Sequence, residues 1–358
     1  MKETPDQIGN GISKASKNQW DLIRVLDKIV KSDENLGPLA LADSELDTLY
    51  RIARASKIPL YFLERLFEAQ GDAFRLKDAL DAHRLRYAKM LDLVKEAAYL
   101  FRNEQVEYAF FKTLRPFSSV GSDIDVLLFD HSLSRVLDFL PTKYEVQDIC
   151  EDNATLYYPN YDLKLDLHAS LSVSRFPYVD VDSIRGEVVE KILDEVAINV
   201  LTPEAEVIVT ACHSVFKEQM LTLQDCYVLQ QFLPLCDRDK ILWLLRKNRV
   251  ILAFELSTIL AESILRAIRG RKPTFQLYSD AGLVGEVAKF EFTRLIRSDF
   301  HLPYRYSLYA VLASFAERAL LSREGQRGAT LLARHLFNKA FVRRLAARLP
   351  KHFRRSSY

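Results

Sequence analysis

Gly121-Ser122-Asp123-Ile124-Asp125-Val126-Leu127-Leu128-Phe129 sets two carboxylates, two residues apart, at the head of an apolar run. In an extended strand, side chains i and i+2 point the same way with Cα atoms roughly 6.5 Å apart. Asp123 and Asp125 are therefore expected to project together from the end of a buried strand. Carboxylates held side by side repel, and the repulsion is relieved by a cation between them. A divalent metal suits that position, because Mg²⁺ takes oxygen ligands and commonly uses one or two carboxylates together with substrate phosphates. By itself the pair is equally an acidic, solvated turn before a strand.

The surroundings decide between these. Upstream, Val106-Glu107-Tyr108-Ala109-Phe110-Phe111 is short, aromatic and β-prone, and a loop from Lys112 to Ser122 joins it to the acidic strand. Downstream we expect a short helix from Ser132 to Phe139 and strands at Lys143–Ile149 and Thr155–Tyr158. Tyr161-Asp162-Leu163-Lys164-Leu165-Asp166-Leu167-His168 alternates polar and apolar with period two, which predicts a half-buried strand. Its alternation puts Lys164, Asp166 and His168 on one face. If this strand neighbours the first, Asp166 joins Asp123 and Asp125. Three carboxylates from two strands can hold two Mg²⁺ ions about 4 Å apart. Such a pair lowers the pKa of an attacking hydroxyl and neutralises a leaving pyrophosphate. Alternatively, Asp166 is the base that deprotonates the hydroxyl. Either way the chemistry is in-line displacement at phosphorus.

A helix, a strand, a polar loop, Ser-Asp-Ile-Asp-Val-Leu-Leu and then a strand carrying Leu-Asp-Leu resemble the polymerase-beta-type nucleotidyltransferase superfamily. The similarity is greatest to the prokaryotic nucleotidyltransferases with a helical C-terminal domain. In those, a Leu-Thr-Pro-Glu-like helix start precedes a His and then an Asp; the matching positions here are Thr202, Pro203, Glu204, His213 and Asp225. The resemblance covers about residues 83 to 235. It implies transfer of a nucleoside monophosphate from a nucleoside triphosphate such as ATP to an acceptor hydroxyl, with release of pyrophosphate. It also implies Asp123, Asp125 and Asp166 as catalytic metal ligands. Among acceptors RNA, tRNA included, comes first, a protein hydroxyl second and an aminoglycoside-like small molecule third. One departure stands out. The superfamily usually has Gly-Ser or Gly-Gly about ten residues before the acid pair, where small residues let backbone N–H groups approach the triphosphate. This chain has Lys112-Thr113. Lys112 would then meet phosphate as a point charge and Thr113 would replace the serine, with Arg115, Ser119 and Ser122 as further nucleotide-binding candidates. The alternative is a catalytically silent scaffold that binds RNA or a protein partner.

Composition fits this picture. Of 358 residues, 49% are apolar and 27% charged, while Gly and Pro number only 11 and 12, which favours helix over a turn-rich all-β fold. No apolar stretch reaches membrane-spanning length, and Met1-Lys2-Glu3-Thr4-Pro5-Asp6 lacks the apolar core of a signal peptide. The four cysteines form no Cys-x-x-Cys pair and sit beside apolar neighbours, as buried thiols in a reducing cytoplasm do. We therefore expect a cytoplasmic protein with no transmembrane segment.

Outside the acidic core the pattern is helical. Trp20, Leu22, Ile23, Leu26, Ile29 and Val30 recur at helical spacing; so do Leu46, Leu49, Ile52 and Ala53, and then Leu60, Phe62, Leu63, Leu66 and Phe67. A longer amphipathic helix is predicted from Asp72 to Asn103. Thr202-Pro203-Glu204 is a helix start with a capping hydroxyl, Pro at the first position and acid in the first turn. The fold class expected is thus α+β, a small mixed-sheet domain with helical flanks. It divides into an N-terminal helical region (1–82), a nucleotidyltransferase-like domain (83–200), a helical domain (201–322) and a basic C-terminal helix and tail (323–358). That last stretch has ten Lys or Arg against one acid, a net +9 that leaves −7 on the preceding 322 residues. Its helix, predicted over Ala329–Leu349, is a solvated face, a contact for RNA backbone, or, less favoured, an amphipathic element on an anionic membrane surface. His213 and Asp225 are expected to pair and brace the helical domain, or to line a nucleotide pocket.

Overall fold

A computed structural model describes residues 14–31, 42–70, 75–129, 133–140, 144–150, 152–278, 282–297 and 302–336. Its first elements are α1 (Lys14–Lys31), α2 (Asp43–Ala55), α3 (Pro59–Gln70) and the long α4 (Lys77–Asn103). Then come β1 (Tyr108–Phe110), β2 (Asp123–Leu128), α5 (Leu133–Phe139), β3 (Glu145–Ile149), β4 (Asn153–Tyr158) and β5 (Leu163–His168). A hairpin of β6 (Leu171–Val173) and β7 (Phe176–Val179), a single turn α6 (Val181–Ile184) and a second hairpin of β8 (Val188–Leu193) and β9 (Val196–Leu201) follow. The remainder is α7 (Pro203–His213), which runs into a π-helical turn (Ser214–Glu218), then β10 (Met220–Leu221), α8 (Leu223–Phe232), α9 (Arg238–Asn248), α10 (Ile251–Ile268), α11 (Gly282–Arg297), β11 (Tyr304–Arg305), α12 (Leu308–Leu321) and α13 (Arg323–Leu336). The fold is α+β, as expected. Asp72, Ser132, Lys143 and residues 337–358, with most of the predicted basic helix, lie outside the described residues, as does the Trp20 side chain.

Seven strands form one mixed sheet in the order β3-β4-β5-β2-β1-β9-β8. β2 runs parallel to β5, β1 runs parallel to β9, and the other neighbours are antiparallel. Beyond its acids β2 is buried on both faces. Ile124, Val126 and Leu128 join α4 residues Leu93, Val94, Ala97 and Phe101 in one core. Leu127 and Phe129 join the opposite, larger core with α7, α8, α10 and the N-terminal helices. A run apolar on both faces is what a central strand needs. β5 is apolar on the α4 face alone, so its alternation survives in the structure.

The hairpins β6–β7 and β8–β9 were not expected from sequence. Their two-residue turns have positive φ at both central positions, Ser174 and Arg175 in the first, Asp194 and Glu195 in the second. Such turns match strand twist and favour Asn-Gly or Asp-Gly. Ser-Arg and Asp-Glu carry no such signal.

Long-range polar contacts bind the helical regions together. Asp27 of α1 accepts from Tyr227 Oη of α8 at 2.9 Å and pairs with Arg269, just past α10, at 3.1 Å. α13 packs on β7, where Gly328 faces Pro177 so closely that a β-carbon would collide with the proline ring. No described helix is long and apolar enough to cross a membrane.

Candidate metal centre

The parallel pairing of β2 with β5 sets Asp125 in register with Asp166 and Asp123 with Lys164. Because β2 and β5 are adjacent and aligned, the i, i+2 rule places Asp123, Asp125 and Asp166 on the same sheet face. One oxygen each of Asp125 and Asp166 and a ring nitrogen of His168 lie within 4.8 Å of one another. Asp123 stands at the mouth, half-buried, its Oδ1 accepting from the Ser122 hydroxyl at 3.0 Å.

The two inner acids have opposite surroundings. Asp125 is 9% exposed, and both of its oxygens are engaged: Lys112 Nζ at 3.0 Å from Oδ2 and His168 Nε2 at 3.0 Å from Oδ1. Burial pushes its carboxyl upward, but the Lys112 ammonium and the His168 hydrogen bond overcome this and hold it well below the usual carboxylate range. Asp166 has a buried Oδ1 with no hydrogen-bond partner among the described residues. Burial raises its carboxyl, Asp123 and Asp125 push the same way, and Thr155, its register partner on β4, opposes only in part.

Lys112 is held in place from several directions. Its backbone is left-handed at φ 56°, a conformation that costs a residue with a β-carbon about 1–2 kcal/mol. Its N–H donates to both oxygens of Glu206 on α7, at 3.0 and 3.2 Å. Arg115 Nη1 in turn donates to Glu206 Oε1 at 2.8 Å and to Thr210 Oγ1 at 3.2 Å. Burial pushes Glu206 above its ordinary range, with Arg115 opposing. α7 itself starts as its sequence predicts: Thr202 caps it by accepting from the Ala205 N–H, and Pro203 opens the first turn.

The other loop candidates also have protein partners. The Thr113 hydroxyl donates to the Phe111 carbonyl at 3.1 Å and accepts from the Asp125 N–H at 3.1 Å, which ties the loop to the mouth of β2. Ser119 accepts a short hydrogen bond from Gln224 of α8. Ser122 alone of these is exposed. The structure thus gathers Asp125, Asp166, Lys112 and His168, with Asp123 and Ser122 at the rim, while Thr113, Arg115 and Ser119 serve the scaffold around them.

His213 differs from the expected brace with Asp225. Asp225 is used locally, accepting from the Thr222 N–H at 2.9 Å and its hydroxyl at 2.7 Å in the capping box of α8. His213 instead faces Lys112 Nζ at 3.4 Å, Glu218 Oε1 at 3.3 Å and Tyr178 Oη at 3.3 Å. Burial drives its imidazole down to about 3, and the Lys112 ammonium adds to this while Glu218 opposes it. Neutral His213 has one proton, so its Nε2 accepts from Lys112 or donates to Glu218, not both at once. Glu206, Glu218 and Tyr178 were missed at the sequence level. Glu206 reads there as a first-turn acid of α7, and nothing local marks it as buried.

The donor set suits a divalent cation. Asp166 has an unsatisfied buried oxygen, Asp123 adds charge at the mouth, and His168 orients Asp125 in the way outer partners orient metal-binding carboxylates. Oxygen donors favour Mg²⁺ or Mn²⁺, and the nearby imidazole also tolerates softer first-row ions.

No family model matches the chain, and no curated protein matches it. Among solved structures it is similar to an antigenic nucleotidyltransferase-like protein from Paracoccidioides brasiliensis, with TM-score 0.31 and 12% identity over 42% of this chain and 77% of that one. So slight a likeness carries no argument.

Proposed function

We propose that this protein is a metal-dependent nucleotidyltransferase that moves a nucleoside monophosphate from a nucleoside triphosphate to an acceptor hydroxyl, releasing pyrophosphate. The observation that supports it is the register of Asp125 with Asp166 on neighbouring parallel strands, with Asp123 two residues before Asp125 at the rim. Asp123 and Asp166 would hold Mg²⁺ beside Asp125, and the bound ion would supply charge neutralisation at the triphosphate and at the attacking oxygen. Alternatively, Asp166 would act not as a ligand but as the base that takes the acceptor's proton. Lys112 and His168 fix Asp125 so that its charge is in position before substrate arrives, which avoids reorganisation during reaction. RNA is the favoured acceptor, which the net charge of +9 on the last 36 residues supports, and a protein hydroxyl is the next.

Incubation with each α-labelled triphosphate, Mg²⁺ and a total extract of RNA and protein tests this. Label is expected in RNA or protein and is expected to vanish in Asp123→Asn. The second reading is a silent scaffold, favoured by the engagement of Thr113, Arg115 and Ser119 with protein partners. No label in any fraction, with RNA binding intact, would decide for it.

A further inference from the structure

We infer that the Lys112 ammonium is a built-in cation at Asp125, so that this site takes one divalent ion where three clustered carboxylates would otherwise take two. The inference rests on the metal-binding part of the function proposed above and goes beyond it by setting the ion count.

A two-ion site needs one carboxylate to share its oxygens between the ions. Asp125, in register with Asp166 and two residues from Asp123, is the residue placed to do so, and each of its oxygens already meets a hydrogen-bond donor: Oδ2 meets Lys112 Nζ at 3.0 Å and Oδ1 meets His168 Nε2 at 3.0 Å. Lys112 is not a surface lysine that happens to reach inward. Its side chain is 11% exposed. Its left-handed backbone is clamped by Glu206, which Arg115 holds in turn, and the adjacent Thr113 hydroxyl receives the Asp125 N–H. The loop is therefore bonded to α7 through the Lys112 N–H and to β2 through Thr113. His213, neutral, faces it with a nitrogen lone pair or a proton and adds no competing positive charge.

The unmet demand for a cation lies on the other side of Asp125. There the buried Asp166 Oδ1 has no partner among the described residues, and one oxygen each of Asp125 and Asp166 lie within 4.8 Å of each other. One divalent ion between Asp123 and Asp166, with the ammonium of Lys112, balances the three carboxylates. A second divalent ion would leave an excess of positive charge and would have to displace the ammonium from a clamped loop.

Mn²⁺ alone, counted by the loss of the free-ion electron paramagnetic resonance signal on titration into the full-length protein, provides the test. The wild type is expected to bind one ion, Lys112→Arg one, Lys112→Met two, and Asp166→Asn none. Circular dichroism of each variant reports whether it has folded, and the wild-type count stands without any variant. Two ions in the wild type, or one in a folded Lys112→Met, overturns the inference and leaves the metal-binding reading intact. No Mn²⁺ bound by the wild type or by Lys112→Met overturns both.

Discussion

Asp125 and Asp166 sit level on adjacent strands, yet their surroundings are opposite in kind. Around Asp125 the site is finished: Lys112 and Thr113 from the loop and His168 from β5 meet the polar atoms that Asp125 presents to them. Around Asp166 it is unfinished: among the described residues its buried Oδ1 has no hydrogen-bond partner. A buried polar atom left unsatisfied costs about 1–3 kcal/mol, a cost that a binding site can retain because a ligand later relieves it. The contrast teaches that the paired and the unsatisfied polar atoms of this site reside in different carboxylates.

Several substitutions would break or sharpen the contrast. The largest effect is expected from Asp123→Asn or Asp166→Asn on nucleotidyl transfer. Loss of a group that holds transition-state charge costs on the order of 10²–10³ in rate, measured as label incorporated per unit time. Next comes the finished side. Lys112→Met leaves Asp125 buried without its ammonium, and breaking a buried pair costs about 3–5 kcal/mol, to be read from urea unfolding. Added Mn²⁺ is expected to restore much of this, because ion binding to the folded state stabilises it by mass action. A loss of stability that Mn²⁺ leaves untouched would argue that Lys112 is a brace and not a cation substitute.

Smaller, and opposite in sign between the two acids, is the dependence on pH. The Asp125 carboxyl is lowered in the folded state. Its contribution is present above the unfolded value of about 3.9 and is lost as pH falls through the lower folded value. The Asp166 carboxyl is raised. Its folded state is favoured below about pH 3.9, and that advantage is lost as pH rises through the raised folded value. Thermal unfolding from about pH 3 to pH 7 is therefore expected to show a flatter acid limb in Asp125→Asn and a gain towards neutral pH in Asp166→Asn. The smallest effect is that gain itself, about 1–3 °C in the metal-free protein at neutral pH. A metal-free Asp166→Asn that melts below the wild type would show that Asp166 is satisfied in solution and that the two sides do not differ.

Legibility varied with how local the cause was. The β5 alternation and the two-sided apolar run of β2 are patterns of neighbouring residues, and both strands lie where those patterns put them. The Thr-Pro-Glu start of α7 is likewise local. The hairpins at β6–β7 and β8–β9 escaped because Ser174-Arg175 and Asp194-Glu195 adopt left-handed turns without the glycine that would announce them. His213 and Asp225 read as a pair by spacing alone, but a capping box took one and the Lys112 cluster took the other.

By itself, then, the sequence determined the α+β class, the two strands and the face on which their acids stand, because strand period is set by each residue's own geometry. It also marked Lys112-Thr113 as unusual. What Lys112 does there was decided only by tertiary structure. The ammonium reaches Asp125 because Glu206, 94 positions away in sequence, holds the Lys112 N–H, and Arg115 holds Glu206. Chain closure over such a distance depends on how sheet and helices pack, and no local pattern records it. The same packing pairs one acid and leaves its neighbour open.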